Sequence, residues 1–276
     1  MRVLIVKKKT LILAAAIVTL AIAAAVVLLI LGKEGGLAPA MHVDTVEEYE
    51  LNVLAGKQRE LPVYSVERSD KAIALTIDAA WEDDKTQFIL ETLKKHNIKA
   101  TFFLCGVWVK AYPDQVKAIA AAGHEIGNHS LTHPHMNQLD AASVKKEITE
   151  LDDQIEALTG KRCTLFRAPF GEYNDTVIRA VREIGYEPIQ WNLDTIDWKQ
   201  ERSPDTILNS VLPKLSNGSI ILSHNNGYEI KNYLPTLIEK AQEQGYQFVT
   251  VSELLLDGET SIDNNGVQHT KTASAS

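Results

Sequence analysis

Apolar positions along this chain fall into three regimes. From Leu11 to Leu31 they are continuous, broken only by Thr19. From about residue 61 to 256, short apolar runs alternate with segments whose apolar residues recur every three or four positions. From Asp257 onward the periodicity fades into Ser, Thr, Asn and Gly, which predicts a disordered tail over 257–276. The first regime is long enough to span a bilayer as a helix. It follows Arg2, Lys7, Lys8 and Lys9, so the positive-inside bias places a cytoplasmic basic segment at 1–10, a transmembrane anchor at 11–31 and the remainder outside the membrane. The small residues around Ala38-Pro39-Ala40 keep open a secreted alternative, in which 11–31 is a cleaved signal peptide. Residues 32–60 are weakly patterned and read as a stalk.

In the middle regime, periods of two and of three to four alternate. Strands are expected at Ala72–Ile77, Ala100–Cys105, His124–Gly127, Thr164–Phe166, Glu187–Trp191, Ser219–Leu222 and Gln247–Val249. Helices are expected at Lys85–His96, Asp114–Ala122, Ala141–Leu158, Asp175–Ile184, Pro204–Leu215, Leu234–Gln244 and Ser252–Leu256, several closed by a glycine. Such alternation predicts an α/β domain with a parallel sheet covered by helices, open or closed into a barrel. Chemistry is then expected at the carboxyl ends of the strands.

Composition narrows the function classes. The 276 residues are 45% hydrophobic and carry a net charge of −8, with no basic block in the globular part, which argues against a nucleic-acid partner. Cys105 and Cys163 lie in apolar runs and read as buried thiols, with one bridge as the alternative in an oxidising compartment.

Asp78, His129, His133, Arg167, Asp194, Asp197 and His224 all fall just after predicted strands. His129 and His133 are four residues apart, a spacing that lets two imidazoles converge on a divalent metal; loop histidines bonded to the backbone are the competing reading. His124 and His135 read as structural. Asp78 leaves an apolar strand and needs a cation or donor, which Arg167 can supply as a fork. Asp197 beside Trp198 can raise the pKa of His224 and make it a proton donor.

These residues stand in five ordered blocks: Thr76-Ile77-Asp78-Ala79-Ala80-Trp81, His129-Ser130-Leu131-Thr132-His133, Arg167-Ala168-Pro169-Phe170-Gly171-Glu172-Tyr173-Asn174, Asp194-Thr195-Ile196-Asp197-Trp198 and Leu222-Ser223-His224. With them the chain resembles the polysaccharide deacetylases with a NodB-homology domain, carbohydrate esterase family 4, and within that family the sporulation-type peptidoglycan deacetylase-like proteins. The resemblance implies a distorted (β/α) barrel over 61–256 that removes acetyl groups from N-acetylhexosamines of cell-wall glycan. It implies His129 and His133 as ligands of a divalent metal, zinc first, with cobalt or nickel as alternatives. Asp78 would be the general base, oriented by Arg167, and His224 the general acid, tuned by Asp197. An oxyanion-holding backbone N–H would fall at Tyr173, and Trp198 and Leu222 would meet substrate. Trp81, Tyr173, Trp191 and Trp198 could form a stacking platform for sugar rings.

One position departs from the family pattern. Where a second aspartate usually completes the metal ligands, this chain has Ala79. Loss of a charged oxygen donor weakens the site, and Glu82, Asp83 or Asp84 could reach back as substitutes or simply complement the following helix dipole. Two function classes therefore stand: a membrane-anchored, metal-dependent deacetylase, and a catalytically impaired relative that binds glycan or serves a structural role.

Overall fold

The structure, a computed structural model, describes residues 59–82 and 85–271. The expected basic segment, the membrane span, nearly all of the stalk, and Asp83 and Asp84 lie outside the described residues. Among the described residues no helix is long and apolar enough to cross a membrane.

Strands β1 (Ser65–Val66), β2 (Ala72–Ala79), β3 (Thr101–Leu104), β4 (Glu125–Asn128), β5 (Leu165–Phe166), β6 (Glu187–Pro188), β7 (Leu193–Asp194), β8 (Ile220–His224) and β9 (Gln247–Val249) are followed by β10 (Thr260–Ile262) and β11 (Val267–Thr270). Between them run α1 (Thr86–Lys95), α2 (Gly106–Ala111), α3 (Pro113–Ala121), α4 (Ala141–Thr159), α5 (Asp175–Glu183), α6 (Pro204–Val211), α7 (Ile230–Glu243) and α8 (Val251–Leu254). The main sheet has the order β6-β5-β4-β3-β2-β8-β7, with β9 added alongside β2, and its pairs are parallel. Its ends, β6 and β7, are not paired to each other, so the sheet is a curled, incomplete barrel. The segment around β1 lies across that seam: Val63 bridges Ile189, and Ser65 bridges Ser219.

β2 pairs with three strands, β3, β8 and β9, and all eight of its residues are buried. A strand covered on both faces reads as a nearly continuous apolar run rather than an alternation. The alternation is instead between two cores. Ile73, Leu75, Ile77 and Ala79 join the larger cluster under the helices, whereas Ala72 and Ala74 join the barrel interior with Val63, Phe103, Leu165 and Ile220. Asp78 therefore shares the interior face, and Ala79 points to the helix side. The interior is tight: a side chain at Gly127 would come within 2.6 Å of the Phe103 ring.

The expected elements are present, with shifted ends. The helix expected from Leu234 begins at Ile230 and runs through Pro235, because Ile230, Tyr233, Leu234, Leu237, Ile238 and Ala241 form one buried face that outweighs a missing backbone bond. α2 and β7 were not legible in the hydrophobic pattern. Cys105 and Cys163 are both free and buried.

The expected disordered tail is corrected for residues 257–271. β10 and β11 form an antiparallel hairpin, and β11 pairs in parallel with β1. Turn chemistry decides this: Asp263 Oδ1 accepts from the N–H groups of Asn265 (2.8 Å) and Val267 (2.9 Å), and Gly266 takes a φ of 77°. Gln268 is buried and its Oε1 accepts from Leu256 N at 2.9 Å, so polar composition here fills hydrogen bonds rather than solvating a free tail. At the other end, Glu60 of the expected stalk is ion-paired to Arg182 on α5 at 2.9 Å.

Candidate active site

The parallel pairing of β2 with β8 sets Asp78 directly opposite His224 at the carboxyl end of the sheet. Each of the two has its own partner. Arg167, fully buried after β5, donates from Nη1 to Asp78 Oδ1 (2.7 Å) and to Thr76 Oγ1 (2.7 Å), and from Nη2 to the Gln190 carbonyl (3.0 Å). Its guanidinium lies 4.1 Å from the Phe103 ring centroid and 5.4 Å from that of Trp191, so the fork is held by packing as well as by bonds. With Oδ1 engaged, Asp78 Oδ2 faces the open end of the sheet, 3.8 Å from His129 Nε2.

On the other strand, His224 Nδ1 lies 2.7 Å from Asp197 Oδ1, and the His224 backbone N–H donates to Asp197 Oδ2 at 3.1 Å. Burial alone would hold the imidazole neutral, but the charge and hydrogen bond of Asp197, with Asp78 and Asp194 nearby, carry it up to about 9. Asp197 is only 1% exposed. It reaches His224 because Asp194 Oδ1 caps Ile196 N at 2.7 Å and Ile196 turns back with a φ of 52°. Residue 227 must be glycine, since a Cβ there would overlap the Asp197 carboxylate.

The two spaced histidines sit on a loop, not a helix. Ser130 (φ 66°) and His133 (φ 60°) both take left-handed backbone, a strained state for non-glycine residues that gathers at functional sites. Side chains hold it: Asn128 Oδ1 accepts from Ser130 N (3.0 Å), Ser130 Oγ from His133 N (3.1 Å), and Glu147 on α4 from Thr132 N (2.8 Å) and Thr132 Oγ1 (2.9 Å). The rings stand 5.1 Å apart between centroids. His129 Nδ1 is 2.9 Å from the Arg167 carbonyl, so it donates there and leaves the lone pair on Nε2, beside Asp78. Burial lowers the pKa of both histidines, His133 to about 4, which keeps them in the neutral form that binds metals.

This donor set fits a divalent ion only in part. The two neutral imidazoles suit one, and the buried His133 Nδ1 has no hydrogen-bond partner. Ala79 supplies no third donor and is packed in the apolar helix-side core. Among the described residues no group of three His, Cys, Asp or Glu is disposed to hold a metal. Glu82 is exposed, and its carbonyl is taken by Trp108 Nε1 (2.6 Å) and Asn225 Nδ2 (2.8 Å); Asp83 and Asp84 lie outside the described residues.

The structure also sorts the other expected residues. Tyr173 turns its hydroxyl to that of Tyr64 (3.0 Å), and its ring packs on the helix-side core. The residue of the third block whose ring meets the imidazoles is Phe170, at φ 59°, 4.6 Å from His133 and stacked 4.6 Å from His135. Leu222 is 3% exposed, and its carbonyl accepts from Thr195 Oγ1 at 2.9 Å. Of the four rings expected as a platform, Trp81 and Trp198 are exposed, whereas Trp191 packs against the interior cluster beneath Arg167. Phe170 and Tyr228 complete the exposed set of rings among the described residues, and Trp81 stands 5.5 Å from His133. His124 is structural: its Nδ1 accepts from Ala100 N at 3.3 Å. Sequence reasoning assigned no role to Thr76, Gln190, Glu147 and Tyr233, whose bonds reach 15 positions or more along the chain, or to Asn128, whose bond to Ser130 is local.

With this geometry in place, comparison with known proteins assigns the family. Residues 65–189 match the family described as polysaccharide deacetylase. The peptidoglycan-N-acetylmuramic acid deacetylase PdaA of Bacillus subtilis is 30% identical over 193 residues, covering 69% of this chain and 73% of that protein. The peptidoglycan-N-acetylglucosamine deacetylase PgdA of Listeria monocytogenes is 36% identical over 195 residues, 71% of this chain but only 41% of that longer protein. Among solved structures, a CE4 family pseudoenzyme from Bacillus anthracis is 37% identical with a TM-score of 0.68, covering 72% of this chain and 70% of its own; a mutant of it has restored enzymatic activity. The chain belongs to the polysaccharide deacetylases, carbohydrate esterase family 4.

Proposed function

We propose that this protein removes N-acetyl groups from hexosamines of cell-wall peptidoglycan, acting outside the cell from an N-terminal membrane anchor. The observation that carries the reading is the register of β2 with β8, which sets a base and an acid side by side, each with its own buried partner. A divalent ion between His129 and His133 would supply Lewis acidity toward the attacking water and the acetamide carbonyl.

The chain's own residues do the rest. Asp78 Oδ2 takes the proton of the attacking water, while Arg167 fixes the carboxylate through Oδ1. His224, protonated at neutral pH, gives its proton to the departing sugar amine, and Asp197 holds the resulting ring in position. The exposed faces of Trp81, Phe170, Trp198 and Tyr228 offer stacking surfaces to neighbouring pyranose rings. The relatives that act on peptidoglycan, and the positive-inside reading of the N-terminus, support the wall as the place of action. Besides the backbone N–H of Tyr173, that of Phe170, whose ring meets His133, is a candidate oxyanion donor, since Pro169 has no N–H and Gly171 N is bonded to the Ala168 carbonyl.

A second reading rests on Ala79. A fold with proton donors and acceptors in place but one metal donor missing suits a glycan-binding relative without turnover, as the similarity to a CE4 pseudoenzyme also suggests. Acetate release from purified peptidoglycan and from N-acetylglucosamine oligomers, with zinc or cobalt and then with chelator, separates the two. The deacetylase reading expects chelator-sensitive release that falls by at least about 10²-fold in Asp78→Asn. No release from folded protein across substrates and metals would favour the binding role.

A further inference from the structure

Asp197 is held by more than the imidazole it serves. Tyr233, in the first turn of α7, is fully buried and donates its hydroxyl to Asp197 Oδ2 at 2.6 Å. The same oxygen accepts the His224 backbone N–H at 3.1 Å, while Oδ1 accepts the His224 imidazole at 2.7 Å. The backbone closes over the carboxylate from the remaining side: Tyr228 N donates to the Asp197 carbonyl at 2.8 Å, and Gly227 approaches so closely that no side chain fits. Asp197 is therefore a buried anion whose charge is divided between an imidazole on one oxygen and a phenol on the other.

We infer that Tyr233 is a positioning residue of the acid pair, whose hydroxyl fixes Asp197 and draws charge from it, thereby limiting how tightly His224 holds its proton. In a site of low dielectric, donors to the two oxygens of one carboxylate compete, and strengthening one weakens the pull on the other. A general acid that holds its proton too tightly is a poor donor in the transition state, so a brake on Asp197 favours transfer. This use of the tyrosine rests on the deacetylase reading, but its effect on His224 does not.

The other groups facing His224 are Asp78 from β2, Asp194 from β7, and His129 and His133 from the loop after β4; Arg167 stands behind Asp78. None of them touches Asp197 Oδ2 in the place of the phenol; the Tyr233 hydroxyl also lies against the uncharged hydroxyls of Ser223 and Thr195, so a change confined to it alters one charged partner, Asp197.

The test is a histidine NMR titration of the full-length, chelator-treated protein, with His224 assigned through His224→Gln. In Tyr233→Phe the ring still fills the core, and the His224 midpoint is expected to rise by about half a pH unit or more. Site-specific 3-fluorotyrosine at position 233, a stronger donor, is expected to lower it. An unchanged midpoint in both folded variants, or a fall in Tyr233→Phe, overturns the inference. If Tyr233→Phe does not fold, the fluorotyrosine protein decides alone: a lowered midpoint supports the role, and an unchanged one overturns it. Because no turnover is read, a protein that shifts its midpoint yet releases no acetate refutes the deacetylase reading and leaves this inference standing.

Discussion

The two halves of the site are completed to different degrees. On the β2 and β8 side each reactive group has its counter-group: Asp78 has Arg167, and His224 has Asp197, itself held by Tyr233. On the loop after β4, His129 and His133 converge in strained backbone, but a buried ring nitrogen of His133 has no partner and Ala79 contributes no donor. The proton-transfer half is closed by the protein, whereas among the described residues the histidine half keeps a ring nitrogen without a partner and lacks a third donor. Burying a polar ring nitrogen without a partner carries a cost that a bound cation, in the proposed deacetylase, would offset.

The strongest way to break this contrast is to change the donor count. His129→Ala is expected to weaken zinc binding by about 10²-fold or more, as measured by competition with a chromophoric chelator. Ala79→Asp is expected to tighten it by at least about tenfold. Because residue 79 points into the helix-side core, Ala79→Asp should also destabilise the metal-free protein, with zinc restoring its thermal midpoint. Unaltered affinity in Ala79→Asp, with no rescue by zinc, would mean that a side chain at 79 stays on the helix side; unaltered affinity from a tight starting value would mean that another group already fills the third place.

Proton linkage should separate the halves next. The pKa of His224 is raised in the folded state, so its pairing with Asp197 contributes stability that is fully present below about 6.5 and is lost as the pH rises through about 9. The pKa of His133 is lowered to about 4, so in metal-free protein the unfolded chain binds the extra proton and stability falls as the pH drops from about 6.5 towards 4. Urea denaturation across this range is expected to show both limbs: His224→Gln removes the alkaline one, whereas the acid one is shared by His133 with His129 and with His124, which burial also lowers to about 4, so His133→Gln reduces it in part. The smallest effect is expected from Glu147→Ala, which removes two bonds to Thr132 on the histidine loop. It should cost about 1 kcal/mol of stability and weaken metal binding severalfold, while leaving the His224 titration unchanged.

The exposed end of the sheet also explains why the site was largely readable. Active-site residues of a parallel α/β sheet follow directly after its strands, so finding strands by their apolar runs locates Asp78, Arg167 and His224 together. Tyr233 was hidden for the opposite reason: it lay just before the expected start of its helix at Leu234, and the residue it bonds, Asp197, is 36 positions away. The terminal hairpin was misread because polar residues in a tight turn have the composition of a disordered tail, while the partner strand that orders them lies some 200 positions earlier in the chain, as in the contact of His269 with Glu67.

Local sequence thus determined what depends on neighbours in the chain: where most of the strands and helices of the main sheet lie, though not their ends, and the family pattern with its missing aspartate at position 79. The tertiary structure alone decided what depends on parallel register and on which face a residue takes. It set Asp78 opposite His224, turned Ala79 into the helix-side core, brought Tyr233 under Asp197 and folded residues 260–270 onto β1. Periodicity specifies the face of an element but not the element it meets, because that choice is made by packing between residues far apart in the chain.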